Sequence, residues 1–223
     1  MNWLDCQDCG HVFTDGILAG EALSAVMGTT LPHQDLSSKD FAFLKSLCAK
    51  IVYRIANYVS APAKWLDVGF GNATLLLAAK EGGYDPSGID LRPDNVAKAQ
   101  GLGINACVAN VSDLREEASY DIISMADLLE HVPYPKEIIR IVNRALKPTG
   151  VIFISCPSYD SPEWRTADEN YLNPYWGEIE HYHNFSEQRL CSLMEEFGYM
   201  LVDRSKSERF IIGMELIFVK CPK

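Results

Sequence analysis

The sequence predicts an α/β fold, a doubly wound and mostly parallel seven-stranded sheet with an antiparallel C-terminal hairpin and helices on both faces. Three observations predict it. Between residues 64 and 156, short apolar segments alternate with helix-length ones, the pattern of parallel strands joined by right-handed helical crossovers. The first of these strands runs into a glycine turn, Gly69-Phe70-Gly71, that opens a helix. The last two strand-like segments, 199–206 and 209–220, are separated only by a turn at Ser207-Glu208, as in a hairpin.

Taken in order, residues 1–37 carry no long periodic pattern and contain Gly10, Gly16, Gly20, Gly28 and Pro32. They read as a loosely organised appendage to a main domain over 38–223. Ser37 and Asp40 form an approximate capping box, and Phe41, Leu44, Leu47, Cys48, Ile51, Ile55 and Val59 follow at helical spacing up to Pro62. Lys64–Val68 is the first strand of the sheet, and Ala73–Lys80 a helix stopped by Gly82-Gly83. Ser87–Asp90 is the second strand, followed by a helix over Pro93–Gln100 with proline in its first turn. Asn105–Ala109 and Tyr120–Met125 are the third and fourth strands. Pro135–Leu146 is an amphipathic helix with Ile138, Ile139, Ile141, Val142 and Leu146 on one side. Val151–Cys156 is an apolar run, which suits a central strand buried on both faces.

Residues 157–185 break this rhythm with Tyr159, Trp164, Tyr171, Tyr175, Trp176, Tyr182 and Phe185. Aromatic side chains bury large areas and exclude water, and a long insertion in a small domain points to a lid over a site. Ser186 then caps a helix that reaches Phe197 and stops at Gly198.

Composition narrows the function classes. The net charge of −10 is spread along the chain, with no Lys/Arg stripe of the kind that binds nucleic acid. A small-molecule partner is expected instead. No apolar run approaches the roughly 18 residues of a membrane span. The first ten residues carry acids and cysteines rather than a basic stretch and an apolar one, so a cytoplasmic location is expected. Of seven cysteines, Cys48, Cys107, Cys156, Cys191 and Cys221 stand singly within apolar or helical stretches and read as small buried hydrophobes.

The chemistry-bearing residues begin at Asp67-Val68-Gly69-Phe70-Gly71-Asn72-Ala73. Glycines let backbone approach a ligand closely, and a helix start offers free N–H groups. A dinucleotide site would carry a third glycine where Thr74 stands. An acid two residues before the first glycine opposes a pyrophosphate and suits a cationic amino group. Asp90, about 20 residues past the glycine turn, is placed to accept from both ribose hydroxyls; capping the following helix is its other reading.

Together with these, Asn110-Val111-Ser112-Asp113-Leu114, the segment from Tyr120 to Val132 containing Leu129-Glu130-His131, and Leu146-Lys147-Pro148-Thr149-Gly150 resemble the class I, Rossmann-like S-adenosylmethionine-dependent methyltransferases of small-molecule type. The resemblance covers roughly residues 38–223. Ala73 and Thr149 stand where glycines are common in that family, and Asn110 where an aspartate is more usual. The resemblance implies that Gly69, Gly71 and Asn72 form the cofactor loop, with Asp67 near the cofactor's ammonium group. It implies that Asp90 and Leu91 hold the ribose, Asn110 and Val111 the adenine, and that Met125 and Ala126 line the pocket beside the sulfonium. In Glu180-His181, just before the last long helix, it makes His181 a general base and Glu180 its orienting partner, while fixing the loop is the plainer role. Tyr175, Trp176, Tyr182, His183 and His131 are candidate acceptor contacts.

Cys6-Gln7-Asp8-Cys9 resembles one knuckle of a zinc ribbon. Structural zinc takes four ligands, and His11 and His33 complete no standard spacing, so no metal is expected. Two other functions compete with a methyltransferase. A nicotinamide-dependent oxidoreductase is disfavoured by Thr74, and a non-catalytic module of the same fold would bind the cofactor without turnover. The acceptor atom and the oligomeric state do not follow from these residues.

Overall fold

The computed structural model describes residues 1–19, 21–22 and 38–221. The chain opens with β1 (Trp3–Asp5) and β2 (Val12–Thr14), followed by α1 (Ser38–Ile55). Then come β3 (Lys64–Val68), α2 (Thr74–Glu81), β4 (Asp85–Asp90), α3 (Pro93–Gly101), β5 (Asn105–Val108) and β6 (Tyr120–Ala126). After these follow α4 (Pro135–Ala145), β7 (Leu146–Pro157), α5 (Pro162–Glu169), β8 (His183–Asn184), α6 (Glu187–Glu195), β9 (Tyr199–Lys206) and β10 (Gly213–Lys220). Ser37, expected to cap α1, lies outside the described residues, as does His33.

Seven strands form one sheet in the order β5-β4-β3-β6-β7-β10-β9. The pairs from β5 to β7 are parallel, and β10 runs antiparallel to both β7 and β9. The expected class is therefore the observed one. Alternation along each central strand divides the core between the two faces. Trp65, Ile122, Phe153 and Ile217 pack with Ile51 and Ile55 of α1 and Leu75 of α2. Their neighbours Leu66, Ile123, Ile152 and Leu216 pack instead with Ile139 of α4 and Leu190 of α6.

Several boundaries differ from the expected ones. β7 starts at Leu146 rather than Val151, because α4 ends at Ala145 and Pro148 favours extended backbone before it. β10 begins at Gly213 rather than Arg209, and the four residues before it leave the sheet. The 157–185 segment, expected only as an insertion, contains α5, capped by the Ser161 hydroxyl accepting from Trp164 N at 3.0 Å.

The larger difference is at the N-terminus. Residues 3–14 are not loosely organised: β1 pairs with β2, and β2 pairs with β8 through Val12–Asn184 and Phe13–His183. Thr14 N also donates to the Tyr182 carbonyl at 3.0 Å. Trp3 packs edge-on against Trp176, ring centroids 5.7 Å apart, and its Nε1 donates to the Trp176 carbonyl. These residues are thus joined to the aromatic insertion through backbone pairing that no local periodicity announces. Among the cysteines, Cys48 and Cys156 are buried as expected, whereas Cys107 and Cys221 are exposed. No helix among the described residues is long and apolar enough to cross a membrane.

Candidate active site

The carboxyl ends of the parallel strands carry the site. Past the end of β3, Gly69 and Gly71 adopt φ of +70° and +56°, the left-handed region that disfavours a β-carbon. Gly69 N donates to the Ile89 carbonyl at 2.8 Å, which ties the turn to β4. A β-carbon on Gly69 would lie 2.9 Å from Leu128 Cδ1. Ala73 is also left-handed, at φ +63°, so this alanine takes the backbone shape of the glycine it resembles.

Asp90 ends β4, and its carboxylate is held by three donors. Gly71 N reaches Oδ2 at 3.0 Å, while Arg92 N and Asn95 Nδ2 reach Oδ1 at 2.8 and 3.3 Å. An ionised carboxylate has about four acceptor positions, so Asp90 is fixed in place yet keeps capacity for a ligand hydroxyl. Asn72 does something else: its Oδ1 accepts from Thr74 N and Oγ1 at 3.1 and 2.7 Å, closing the start of α2.

A cavity of about 760 Å³ opens above these residues, within the usual range for a small-molecule site. Gly69, Gly71, Asp90, Leu91, Asn110 and Val111 line it from the β3–β5 side. His131, Tyr175, Glu180 and His181 line it from the β6–β7 side and the aromatic insertion. Asn110 Oδ1 accepts from Ser112 N at 2.9 Å and Asp113 accepts from Asn110 N, so a capping box fixes this edge.

Several expected residues lie off the cavity wall. Asp67 is buried beneath the turn, where its carboxylate accepts from Ser124 Oγ at 2.5 Å; Ser124 in turn accepts from Trp65 Nε1 at 2.8 Å. Burial, only partly offset by Ser124, pushes the Asp67 carboxyl up to about 7. Met125 and Ala126 also stay within the sheet, packed into its two opposite faces. The chain reaches the cavity one residue later, at Asp127, whose φ of +54° turns it out of β6. Trp176 sits on the outer side of the insertion, donating to Asp168 Oδ1 at 2.7 Å. Tyr182 is buried behind the wall, its N–H donating to the Glu130 carbonyl at 2.7 Å. His183 faces His11 instead, ring nitrogens 3.0 Å apart.

The expected Glu180–His181 pairing takes another form. Glu180 contributes its carbonyl oxygen, which accepts from His131 Nδ1 at 3.2 Å, and His181 Nδ1 has no hydrogen-bond partner. The His181 ring is held between Tyr175, stacked at 5.8 Å, and His131, edge-on at 4.5 Å. Burial, reinforced by His131, pulls the His181 imidazole down to about 3, so it is neutral. Beside it stands Glu130, a residue that pattern reading passed over as part of a motif. Glu130 is 1% exposed, lines the cavity, and its Oε2 has no partner. Burial, with Asp127 nearby, holds its carboxyl well above the usual range. One ligand atom each from Glu130, His131 and His181 lies within 4.8 Å of the others. Among the described residues, Cys6 and Cys9 join no such group.

A second polar assembly supports the floor. Arg209 Nη1 donates to Asp127 Oδ2 at 2.9 Å and Nη2 to Ser155 Oγ at 2.6 Å. Its Nε reaches Glu215 Oε1 at 3.5 Å, and Glu215 also binds Arg54 of α1 at 2.8 Å. Arg209, expected inside a strand, thus braces the cavity wall from the loop before β10.

Comparison with known proteins agrees with this geometry. The ubiquinone biosynthesis O-methyltransferases of Idiomarina loihiensis and Xanthomonas oryzae pv. oryzae (strain PXO99A) are 34% identical over 110 residues and 37% over 114. Those matches cover 45% and 48% of both sequences, so the chain spans about half the length of the curated relatives it matches. The 1,6-didemethyltoxoflavin-N1-methyltransferase of Burkholderia thailandensis, solved with 1,6-didemethyltoxoflavin and S-adenosylhomocysteine, superposes with a TM-score of 0.70 over 99% of both chains. At 20% identity that likeness shows the shared fold. A family model described as a methyltransferase domain matches residues 41–204, from α1 into β9, and the chain belongs to that family.

Proposed function

We propose that the chain transfers a methyl group from S-adenosylmethionine to a hydroxyl oxygen of a small-molecule acceptor. The observation that carries the reading is Asp90, fixed by three donors at the end of β4 beside two left-handed glycines. Such a carboxylate suits a ribose diol, and the bare backbone of Gly69 and Gly71 suits close approach of the amino-acid portion. Asn110 and Val111, braced by their capping box, would edge the adenine. The residues present therefore fit this cofactor better than a dinucleotide.

When bound, S-adenosylmethionine supplies a methyl group on a sulfonium that leaves as a neutral thioether. The protein's share is to position the acceptor and to keep water away. Tyr175 and the aromatic insertion wall the side of the cavity where Glu130, His131 and His181 stand. We assign acceptor binding to that side, with these three residues managing the hydroxyl proton. An oxygen acceptor is favoured by the O-methyltransferase names of the relatives.

The test is to incubate the full chain with S-adenosylmethionine and a panel of phenols and catechols, reading methylated product by mass spectrometry. Formation of S-adenosylhomocysteine in step with a methyl ether supports the reading. Methylation confined to nitrogen or carbon acceptors in an equivalent panel overturns the choice of oxygen, and tight binding without any turnover favours a non-catalytic module.

A further inference from the structure

We propose that His11 and His183 form an acid-sensitive latch, which holds the N-terminal hairpin β1–β2 on the aromatic insertion while both imidazoles are neutral and releases it when His11 gains a proton. The latch stands on the geometry of this contact; what its release does to an acceptor rests on the methyl-transfer reading.

The hydrogen bonds fix where the protons sit. His183 Nε2 lies 3.4 Å from the Pro133 carbonyl, which can only accept, so Nε2 carries the proton and Nδ1 the lone pair. His11 Nε2 lies 3.0 Å from that Nδ1, so His11 is the donor. A neutral His11 then keeps its own lone pair on Nδ1, a buried atom with no hydrogen-bond partner. The relay runs one way, from His11 through His183 to Pro133, and offers a further proton no good position. On His183 Nδ1 it would set two donors face to face, and on His11 Nδ1 it would meet no acceptor.

The surroundings oppose a charge as well. The His11 ring is enclosed by Phe13, His183 and Phe185, with centroids 6.1, 5.1 and 4.8 Å away. The groups that act on the two imidazoles are each other, Arg189 of α6, and the backbone of Val132 and Pro133; no carboxylate is among them. Burial, reinforced by His183 and Arg189, pulls His11 from 6.5 down to about 4. Released into water, the same imidazole ionises near its ordinary value. Between about pH 6.5 and pH 4 the docked hairpin therefore holds fewer protons than the released one. Docking is at full strength above pH 6.5, weakens by up to about tenfold per pH unit as pH falls, and levels off below pH 4.

The hairpin's other ties to the insertion are short. β2 pairs with β8 through Val12 and Phe13, Thr14 N donates to the Tyr182 carbonyl, and Trp3 packs on Trp176. A loss of one or two decades in the docking equilibrium is large against so small a contact. The insertion in turn carries the acceptor-side wall: Trp176 follows Tyr175, and β8 starts two residues past His181. Release of the hairpin takes the outer brace off that wall.

The experiment is amide hydrogen exchange of the full chain, read by mass spectrometry from pH 4.5 to 7.5 and corrected for the intrinsic exchange rate at each pH. Protection then reports the opening equilibrium of each segment. Protection of residues 12–14 and 182–185 is expected to fall about thirtyfold or more from pH 7.5 to 4.5, while that of β6 and β7 holds. In His11→Phe, which keeps the ring packing and cannot take up a proton, the fall is expected to shrink to less than about threefold. Flat protection in the parent overturns the proposal, as does a fall shared equally by β6 and β7, or one of the parent's size in His11→Phe. If His11→Phe already exchanges fast at pH 7.5, its hairpin no longer docks, and NMR titration of the His11 imidazole in the parent decides. A midpoint well below 6.5, reached as hairpin protection is lost, supports the latch; an ordinary midpoint near 6.5 with the hairpin still docked overturns it. The exchange needs no cofactor, so a chain that fails to bind S-adenosylhomocysteine overturns the methyl-transfer reading and leaves the latch standing.

Discussion

Replacing Asp67 by Asn should change how stability depends on pH in a way the structure specifies. Asp67 is buried beneath the glycine turn with Ser124 Oγ as its hydrogen-bond partner, and burial raises its carboxyl from 3.8 to about 7. In the unfolded chain the same group ionises near its ordinary value. Between about pH 4 and pH 7 the folded state therefore holds one more proton than the unfolded state. Its contribution to stability is fully present below the unfolded pKa and is lost as pH rises through the folded one. At 1.36 kcal/mol per pH unit, the loss approaches about 4 kcal/mol. Asn is near-isosteric, uncharged and still able to accept from Ser124. Urea unfolding of both proteins from pH 4.5 to 8.5 should show Asp67→Asn gaining on the parent as pH rises, then levelling above pH 7. Parallel stability curves across that range would refute the placement of this carboxyl in a dry site.

Further predictions follow from the same contacts. Gly69→Ala should cost about 1–2 kcal/mol from its left-handed backbone, and its clash with Leu128 should also weaken S-adenosylhomocysteine binding, measured by unfolding and calorimetry. Arg209→Met leaves Asp127 without its cation and Glu215 with only Arg54. Breaking a buried pair costs about 3–5 kcal/mol, so the denaturation midpoint should fall sharply. Trp3→Ala should leave global stability within about 1 kcal/mol, since residues 3–14 contribute little core, yet speed proteolysis within 159–180 by removing the Trp3–Trp176 contact.

The parallel sheet was legible because apolar stretches in β3, β6 and β7 alternate with helix-length segments, and because Gly69, Gly71 and Asp90 are conspicuous at their spacing. Those residues do line the cavity. Where the structure departs from what the resemblance implied, strand alternation decided the side chain's direction: Met125 and Ala126 pack into the sheet's two faces, and Asp127 is the first to reach the cavity. Glu130 was illegible for a different reason. A carboxylate one residue from His131 looks like an ordinary surface charge, and only the fold brings His181, fifty positions away, beside it. The same holds for Arg209 and Asp127, 82 positions apart, which meet only because β10 returns beside β7. β1 and β2, three residues each, are too short to show any period, and β2 pairs with His183 and Asn184 of β8, far along the chain.

The central claim, that this cavity is built for S-adenosylmethionine, is tested most directly by titrating S-adenosylhomocysteine into the chain and its Asp90→Ala variant by calorimetry. Removing hydrogen bonds to a charged acceptor costs about 1.5–3 kcal/mol each, so the variant should bind at least about tenfold more weakly than the parent. No binding by the parent, or equal binding by the two proteins, would contradict the account.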